Sequence, residues 1–189
     1  MQAFLVSTGV VALAEIGDKT QLLSLLLAAK FKRPIPIIAG IFIATLLNHG
    51  MAGLVGDWVS AHLGPDVLRW VLGVSFLLMA GWTLIPDKVD GDATPLQRFG
   101  VFGTTVLAFF LAEMGDKTQV ATVALAARYH DLVSVVIGTT FGMMLANVPA
   151  VLLGDIVVRK VSMRVVHGIA ALMFAVLGIL ALLDVGRFF

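Results

Sequence analysis

The sequence predicts an all-α integral membrane protein of six transmembrane helices, arranged as two inverted three-helix repeats. Three observations carry that expectation: scarce charge, apolar runs of membrane-spanning length, and a duplication relating one half of the chain to the other. Of the 189 residues, 59% are hydrophobic and 13% charged, with a mean hydropathy of +1.01. A soluble domain carries about one-quarter charged residues. Apolar runs of about 20 residues recur, each long enough to cross a hydrocarbon core of ~30 Å at ~1.5 Å per residue.

The first helix is expected over 3–29. The N-terminus lacks the positive stretch of a cleavable signal peptide and runs straight into a charged motif, so it reads as a retained helix. KFKRP (30–34) breaks the chain before a second helix over 35–59, and SAHLGPD (60–66) before a third over 67–86. DKVDGDATPLQR (87–98) separates the halves. A fourth helix over 99–127, RYHD (128–131), a fifth over 132–158, VVRKVSMR (157–164) and a sixth over 165–184 complete the chain. Pro34, Pro65, Pro86 and Pro95 fall in or beside these breaks, where proline interrupts no helical hydrogen bond.

A shift of 98 positions lays LAEIGDKTQ (13–21) on LAEMGDKTQ (111–119), and the ungapped window 12–30 against 110–128 has 11 identities in 19. The same shift aligns Ala28-Ala29-Lys30 with Ala126-Ala127-Arg128 and Gly56-Asp57 with Gly154-Asp155. The expected units are a first repeat over 1–86, a cytoplasmic linker over 87–98 and a second repeat over 99–189. Three crossings per unit insert the second from the opposite side, so the two motifs can meet near the midplane, as in many secondary transporters. Lys30, Lys32, Arg33, Lys88, Arg98, Arg159, Lys160 and Arg164 fall on one side, and only Arg69, Arg128 and Arg187 on the other. The positive-inside rule then puts both termini outside and the linker in the cytoplasm. Trp58, Trp70 and Trp82, near expected helix ends, suit interfacial anchoring or packing equally.

A net charge of +1, from 13 Lys+Arg against 12 Asp+Glu, offers no nucleic-acid surface. The absence of cysteine removes disulfides and thiolate metal sites. The chemistry lies in the two motifs. Glu15, Asp18 and Lys19 sit mid-helix in the first expected helix, and Glu113, Asp116 and Lys117 in the fourth. An ionisable group at that depth costs ~2.5–3.5 kcal/mol on insertion scales, so these groups are paired, hydrated or ion-bound. On a continuous helix the i, i+3 and i, i+4 spacings give each motif one acidic face. Four carboxylates against two ammonium groups leave −2, the charge of one divalent cation or two protons. Carboxylate and amide oxygens favour hard cations such as Ca²⁺, Mg²⁺ and Mn²⁺.

The expected metal-site set is Glu15, Asp18, Gln21, Glu113, Asp116 and Gln119, with Gly17, Lys19, Thr20, Gly115, Lys117 and Thr118 completing the motifs. The glycines either loosen the helix or let helices approach closely. The bland alternative pairs Glu15 with Lys19 and Glu113 with Lys117 as internal ion pairs, which apolar residues would replace at less cost. Asn48, His49 and Asn147 are midplane polar residues suited to interhelical hydrogen bonds or an ion pathway, and Asn147 aligns with His49 under the shift. Met51, Met114, Met143 and Met144 are packing residues before they are soft ligands. Asp57 and Asp155 suit ion entrances or helix ends equally.

Glu15-Ile16-Gly17-Asp18-Lys19-Thr20 and Glu113-Met114-Gly115-Asp116-Lys117-Thr118 resemble the doubled E-x-G-D-[KR]-[ST] signature of uncharacterised protein family sixteen, the Gdt-one-like cation exchangers. The likeness covers essentially the whole chain. It implies a Ca²⁺/Mn²⁺ transporter with proton antiport, similar to bacterial manganese exporters of the MneA type, with Glu15, Asp18, Glu113 and Asp116 as the metal-binding carboxylates. The chain lacks the N-terminal extension and acidic central loop of eukaryotic relatives, which implies a bacterial inner membrane.

The expected function is secondary active export of Mn²⁺ and/or Ca²⁺ in exchange for protons by alternating access. Its partners are the divalent ion, protons and the lipid bilayer, with no nucleic acid, no permanently bound cofactor and no enzymatic activity. Three rival readings compete with it. A small amino-acid exporter fits four acids and two lysines less well than a compact dication does. An intramembrane aspartyl hydrolase using Asp18 and Asp116 is disfavoured by the adjoining lysines, and a passive channel differs only in coupling.

Overall fold

The computed structural model describes residues 1–85, 99–153 and 163–183. Among them the chain forms eight α-helices and no strand: α1 Gln2–Glu15, α2 Lys19–Phe31, α3 Pro34–His62, α4 Pro65–Thr83, α5 Gly100–Glu113, α6 Lys117–Tyr129, α7 Leu132–Leu153 and α8 Met163–Leu182. Four of these, α3, α4, α7 and α8, are long and apolar enough to cross a membrane. The expected 87–98 linker, Pro86, Pro95, Asp155, Lys88, Arg98, Arg159, Lys160 and Arg187 lie outside the described residues.

The continuous helices expected over 3–29 and 99–127 are each two helices. The break falls on the motif both times, and its cause is local. Ile16 has φ −63°, ψ 118°, Gly17 has φ 85°, and the Asp18 N–H donates to Glu15 O at 3.0 Å. Those are the features of a type II β-turn, whose third residue needs the positive φ that glycine adopts without steric cost. The second motif repeats it: Met114 at φ −66°, ψ 117°, Gly115 at φ 77°, and Asp116 N–H to Glu113 O at 3.1 Å. A Cβ on Gly115 would meet nothing within 4 Å, so dihedral freedom, and not close packing, is what this position requires.

The next helix starts at once because Asp18 and Asp116 are its N-caps, in extended conformation, each accepting a backbone N–H. Both restarted helices end on a residue in the left-handed region, Lys32 and His130, at φ 52° and 51°. The longer helices open as expected from proline at the first turn: α3 at Pro34, and α4 at Pro65 after Gly64.

The halves interlock. Helix α1 packs on α7, α5 on α3, α6 on α3, and α4 on α8. A Cβ on Gly138 of α7 would lie 2.6 Å from Phe4 O and 3.1 Å from Ser7 Cβ. A Cβ on Gly40 of α3 would lie 2.7 Å from Thr105 Cβ and 3.1 Å from Phe102 O. The two contacts are equivalent under the shift of 98, so the duplication reaches the helix packing. Small residues let backbones approach where lipid provides no hydrophobic drive between helices.

Beside its apolar core, the bundle buries many polar side chains and exposes large apolar ones. Leu5, Leu78, Leu152 and Leu172 are exposed on the periphery, while Ser7, Glu15, Thr20, Ser24, Asn48, His49, Thr122 and Asn147 are buried. Trp58, Trp70 and Trp82 lie on the exposed surface near helix ends, with Trp58 stacked on His62 at 4.5 Å between centroids. Met51, Met114 and Asp57 are also exposed, whereas Met144 packs into the apolar cluster of Leu27, Ile37, Ile41 and Phe109.

Candidate metal centre

Each turn begins and ends in a carboxylate, and each is followed by a lysine. In the assembled fold the lysines pair across the halves: Lys19 Nζ lies 2.9 Å from Asp116 Oδ1, and Lys117 Nζ 3.0 Å from Asp18 Oδ2. This corrects the alternative in which Glu15 pairs with Lys19 and Glu113 with Lys117. The turn removes the helical i, i+4 geometry those pairs need, and each lysine forms an ion pair with the other half's aspartate.

With the lysines so engaged, the glutamates are left together. Glu15, Glu113 and Asp116 are buried, and one carboxylate oxygen from each lies within 4.8 Å of the others. Oxygens on opposite sides of a Ca²⁺ ion, at about 2.3–2.6 Å each, are about 4.6–5.2 Å apart. Three oxygens this close are near enough for one dication to draw them together. Glu15 Oε2 and Glu113 Oε1 have no hydrogen-bond partner, although buried carboxylate oxygens normally find one. Asp18 meets the second motif through its ion pair with Lys117.

Gln21 and Gln119 have a task in the turns themselves. As third residues of α2 and α6 they reach back, and their Oε1 atoms accept the Gly17 and Gly115 N–H groups at 2.9 and 2.7 Å. The pattern is a capping box displaced by one residue, because the aspartate N–H is already used inside the turn. Their amides then tie the turns to the long helices: Gln21 Nε2 donates to Ala146 O at 3.0 Å, and Gln119 Nε2 to Asn48 Oδ1 at 3.3 Å.

The surroundings of the two glutamates differ. Thr118 Oγ1 donates to Glu113 Oε2 at 2.9 Å, while the equivalent hydroxyl of Thr20 is buried without a partner. Asn147 Nδ2 is 3.5 Å from Glu15 Oε1, and Asn147 Oδ1 accepts from Ser24 Oγ at 2.7 Å. Asn48 Nδ2 donates to Phe110 O at 3.0 Å. Lys19 is 26% exposed and Lys117 only 1%. Sequence reasoning missed Ser24, whose signal was its place one turn after Gln21 on the same buried face. It also missed the turn, although Asp18-Lys19-Thr20-Gln21 carries an N-cap residue followed three positions later by glutamine.

Buried carboxylates at two helix breaks, inside a bundle with an apolar exterior, define an ion-handling membrane protein. The chain belongs to the GDT1 family of divalent cation/proton antiporters: the family model "Divalent cation/proton antiporter GDT1" matches residues 3–91 and 101–187. It is 53% identical over 180 residues to a Vibrio cholerae protein named "Putative manganese exporter", covering 95% of this chain and 90% of the relative. It is 28% identical to GDT1-like protein 3 of Oryza sativa subsp. indica, over 91% of this chain and 70% of that protein. The Saccharomyces cerevisiae divalent cation/proton antiporter GDT1 is 22% identical, over 95% of this chain and 83% of the yeast protein. No solved structure matches. The chain is thus a membrane transporter of a cation/proton antiporter family, which is a transport class and not an enzyme class.

Proposed function

We propose that this chain exports Mn²⁺ and/or Ca²⁺ in exchange for protons by alternating access, with Glu15, Asp18, Glu113 and Asp116 as the carboxylates that take ion and protons in turn. The observation that carries the reading is the buried trio of Glu15, Glu113 and Asp116 with oxygens within 4.8 Å of one another. Four carboxylates and two lysines leave −2, so one dication or two protons neutralise the site. The manganese exporter name of the Vibrio cholerae relative supports Mn²⁺ as cargo.

In this reading α1 with α2, and α5 with α6, each form one discontinuous crossing, which raises four continuous spans to six. The halves 1–86 and 99–189 are inverted about the 87–98 linker. Both termini lie outside, in a bacterial inner membrane. Irregular backbone inside a membrane is tolerated where protein or a cavity satisfies it, and discontinuous helices at the repeat interface are where transporters hold their ions. The lysines are tethered counter-ions that neutralise the aspartates when neither metal nor protons do. Gln21 and Gln119 hold the turns in shape and keep a free lone pair on Oε1 for the ion.

The unequal exposure of the two lysines supports a rocking cycle. One conformation opens the Lys19 side and seals the Lys117 side, and the other exchanges them. A shared-proton aspartate dyad draws no support, because each aspartate faces a lysine. The test is uphill Mn²⁺ movement in proteoliposomes driven only by an imposed pH gradient. Accumulation above the external concentration supports exchange, while equilibration that stops at equal concentrations would mean a channel.

A further inference from the structure

Helix α3 carries Thr45 and His49 one turn apart on its buried face, both with no exposed surface. The Thr45 hydroxyl and both His49 ring nitrogens lack hydrogen-bond partners. Buried polar atoms left idle are rare in native proteins and call for an explanation such as an ion. Three on adjacent turns of one helix point to a group that meets them.

The duplication indicates where that group lies. Under the shift of 98, Thr45 corresponds to Met143 and His49 to Asn147. The second-half pair stands beside the trio: Asn147 Nδ2 is 3.0 Å from Met143 Sδ and 3.5 Å from Glu15 Oε1. Helix α3 packs on α5 and α6 as α7 packs on α1 and α2. Asn48, the residue before His49, is bonded to Gln119 of the second motif and to Phe110 O, three residues before Glu113. By the repeat, Thr45 and His49 hold the positions on α3 that Met143 and Asn147 hold on α7.

We propose that His49 and Met143 are specificity-determining residues for the transported ion, one from each half, biasing an oxygen site toward a transition-series dication over Ca²⁺ and Mg²⁺. The inference rests on the metal-exchange reading. Each half offers one hard and one softer donor: the Thr45 hydroxyl with the His49 imidazole, and the Asn147 amide with the Met143 thioether. Ca²⁺ and Mg²⁺ gain little from nitrogen or sulfur, whereas transition dications bind imidazole well and tolerate a thioether. An all-oxygen pocket would discriminate weakly between Mn²⁺ and Ca²⁺, and these two side chains break that balance.

The test uses the full chain in detergent, loaded with Mn²⁺ and read by pulsed electron paramagnetic resonance, with Ca²⁺ competition on the same samples. The substitutions make the halves alike: His49→Asn gives the first the residue of the second, and Met143→Thr the reverse. His49→Gln is a second variant that retains a longer polar side chain for folding. Imidazole nitrogen modulation of bound Mn²⁺ is expected in the wild type and is lost in both His49 variants. Stoichiometry stays unchanged, and the Mn²⁺ over Ca²⁺ preference falls about tenfold, in the range found for residues supporting metal ligands. Met143→Thr lowers the preference and keeps the nitrogen signal. Bound Mn²⁺ without nitrogen modulation, or modulation that survives His49→Asn, would overturn the inference alone. No Mn²⁺ binding by the wild type would overturn the metal-exchange reading and this inference with it.

Discussion

Lys117 of the second motif reaches Asp18 of the first at 3.0 Å, and the lysine is only 1% exposed. With its counterpart from Lys19 to Asp116 at 2.9 Å, it makes each half supply the counter-charge of the other. At the proposed site, a dication entering the trio would compete with both ammonium groups for the aspartates. Occupancy would thereby be linked to how tightly the halves are held together.

That linkage predicts non-additive stability. Removing one partner of a buried ion pair costs about 3–5 kcal/mol, because the other charge is left uncompensated. Lys117→Met and Asp18→Asn should each lower the unfolding temperature in detergent substantially. The double variant should lose much less than the sum of the two. Additive losses would show that the pair carries no coupling.

The turns make a second prediction. Gly115 occupies φ 77° with open space where a Cβ would go, so Gly115→Ala meets no clash and pays only the left-handed conformation, about 1–2 kcal/mol. Gly115→Asn should be milder, because asparagine visits that region more readily. Equal losses for Ala and Asn would argue against the turn as the cause.

The two threonines should separate cleanly. Thr118→Val removes the hydroxyl that donates to Glu113 at 2.9 Å and leaves that carboxylate short of a donor, at a cost of about 1–3 kcal/mol. Thr20→Val removes a buried hydroxyl that has no partner, so metal-free stability should be unchanged or slightly higher. Thermal unfolding in chelator compares them directly.

Inverted topology is testable because the chain contains no cysteine. Single cysteines at Lys32 and Arg164 should react with a membrane-impermeant reagent from the same side, and cysteines at Arg69 and Arg128 from the opposite side. Labelling of Lys32 and Arg128 positions from one face would contradict an inverted arrangement, since these loops follow the equivalent helices α2 and α6.

The sequence made the duplication, the ionisable residues and the helix ends at Pro34 and Pro65 legible, because each depends on residue identity along one dimension. Hydropathy could not reveal that two expected helices break at Gly17 and Gly115, since apolar residues continue on both sides of each turn. The signal was in turn and cap chemistry: a glycine preceding Asp-Lys-Thr-Gln. The crossed lysine pairs were less legible still. On a continuous helix Glu15 and Lys19 are natural partners, and only the turn together with the packing of the two halves brings Lys19 to Asp116.

The most direct measurement of the central claim is Mn²⁺ and Ca²⁺ flux in proteoliposomes under an imposed pH gradient, comparing wild type with Glu15→Gln and Glu113→Gln. The account predicts proton-driven flux of at least one of the metals in the wild type and its loss in either variant, because both glutamates serve one site. Flux that persists in both variants, or no flux of either metal in the wild type, would contradict it.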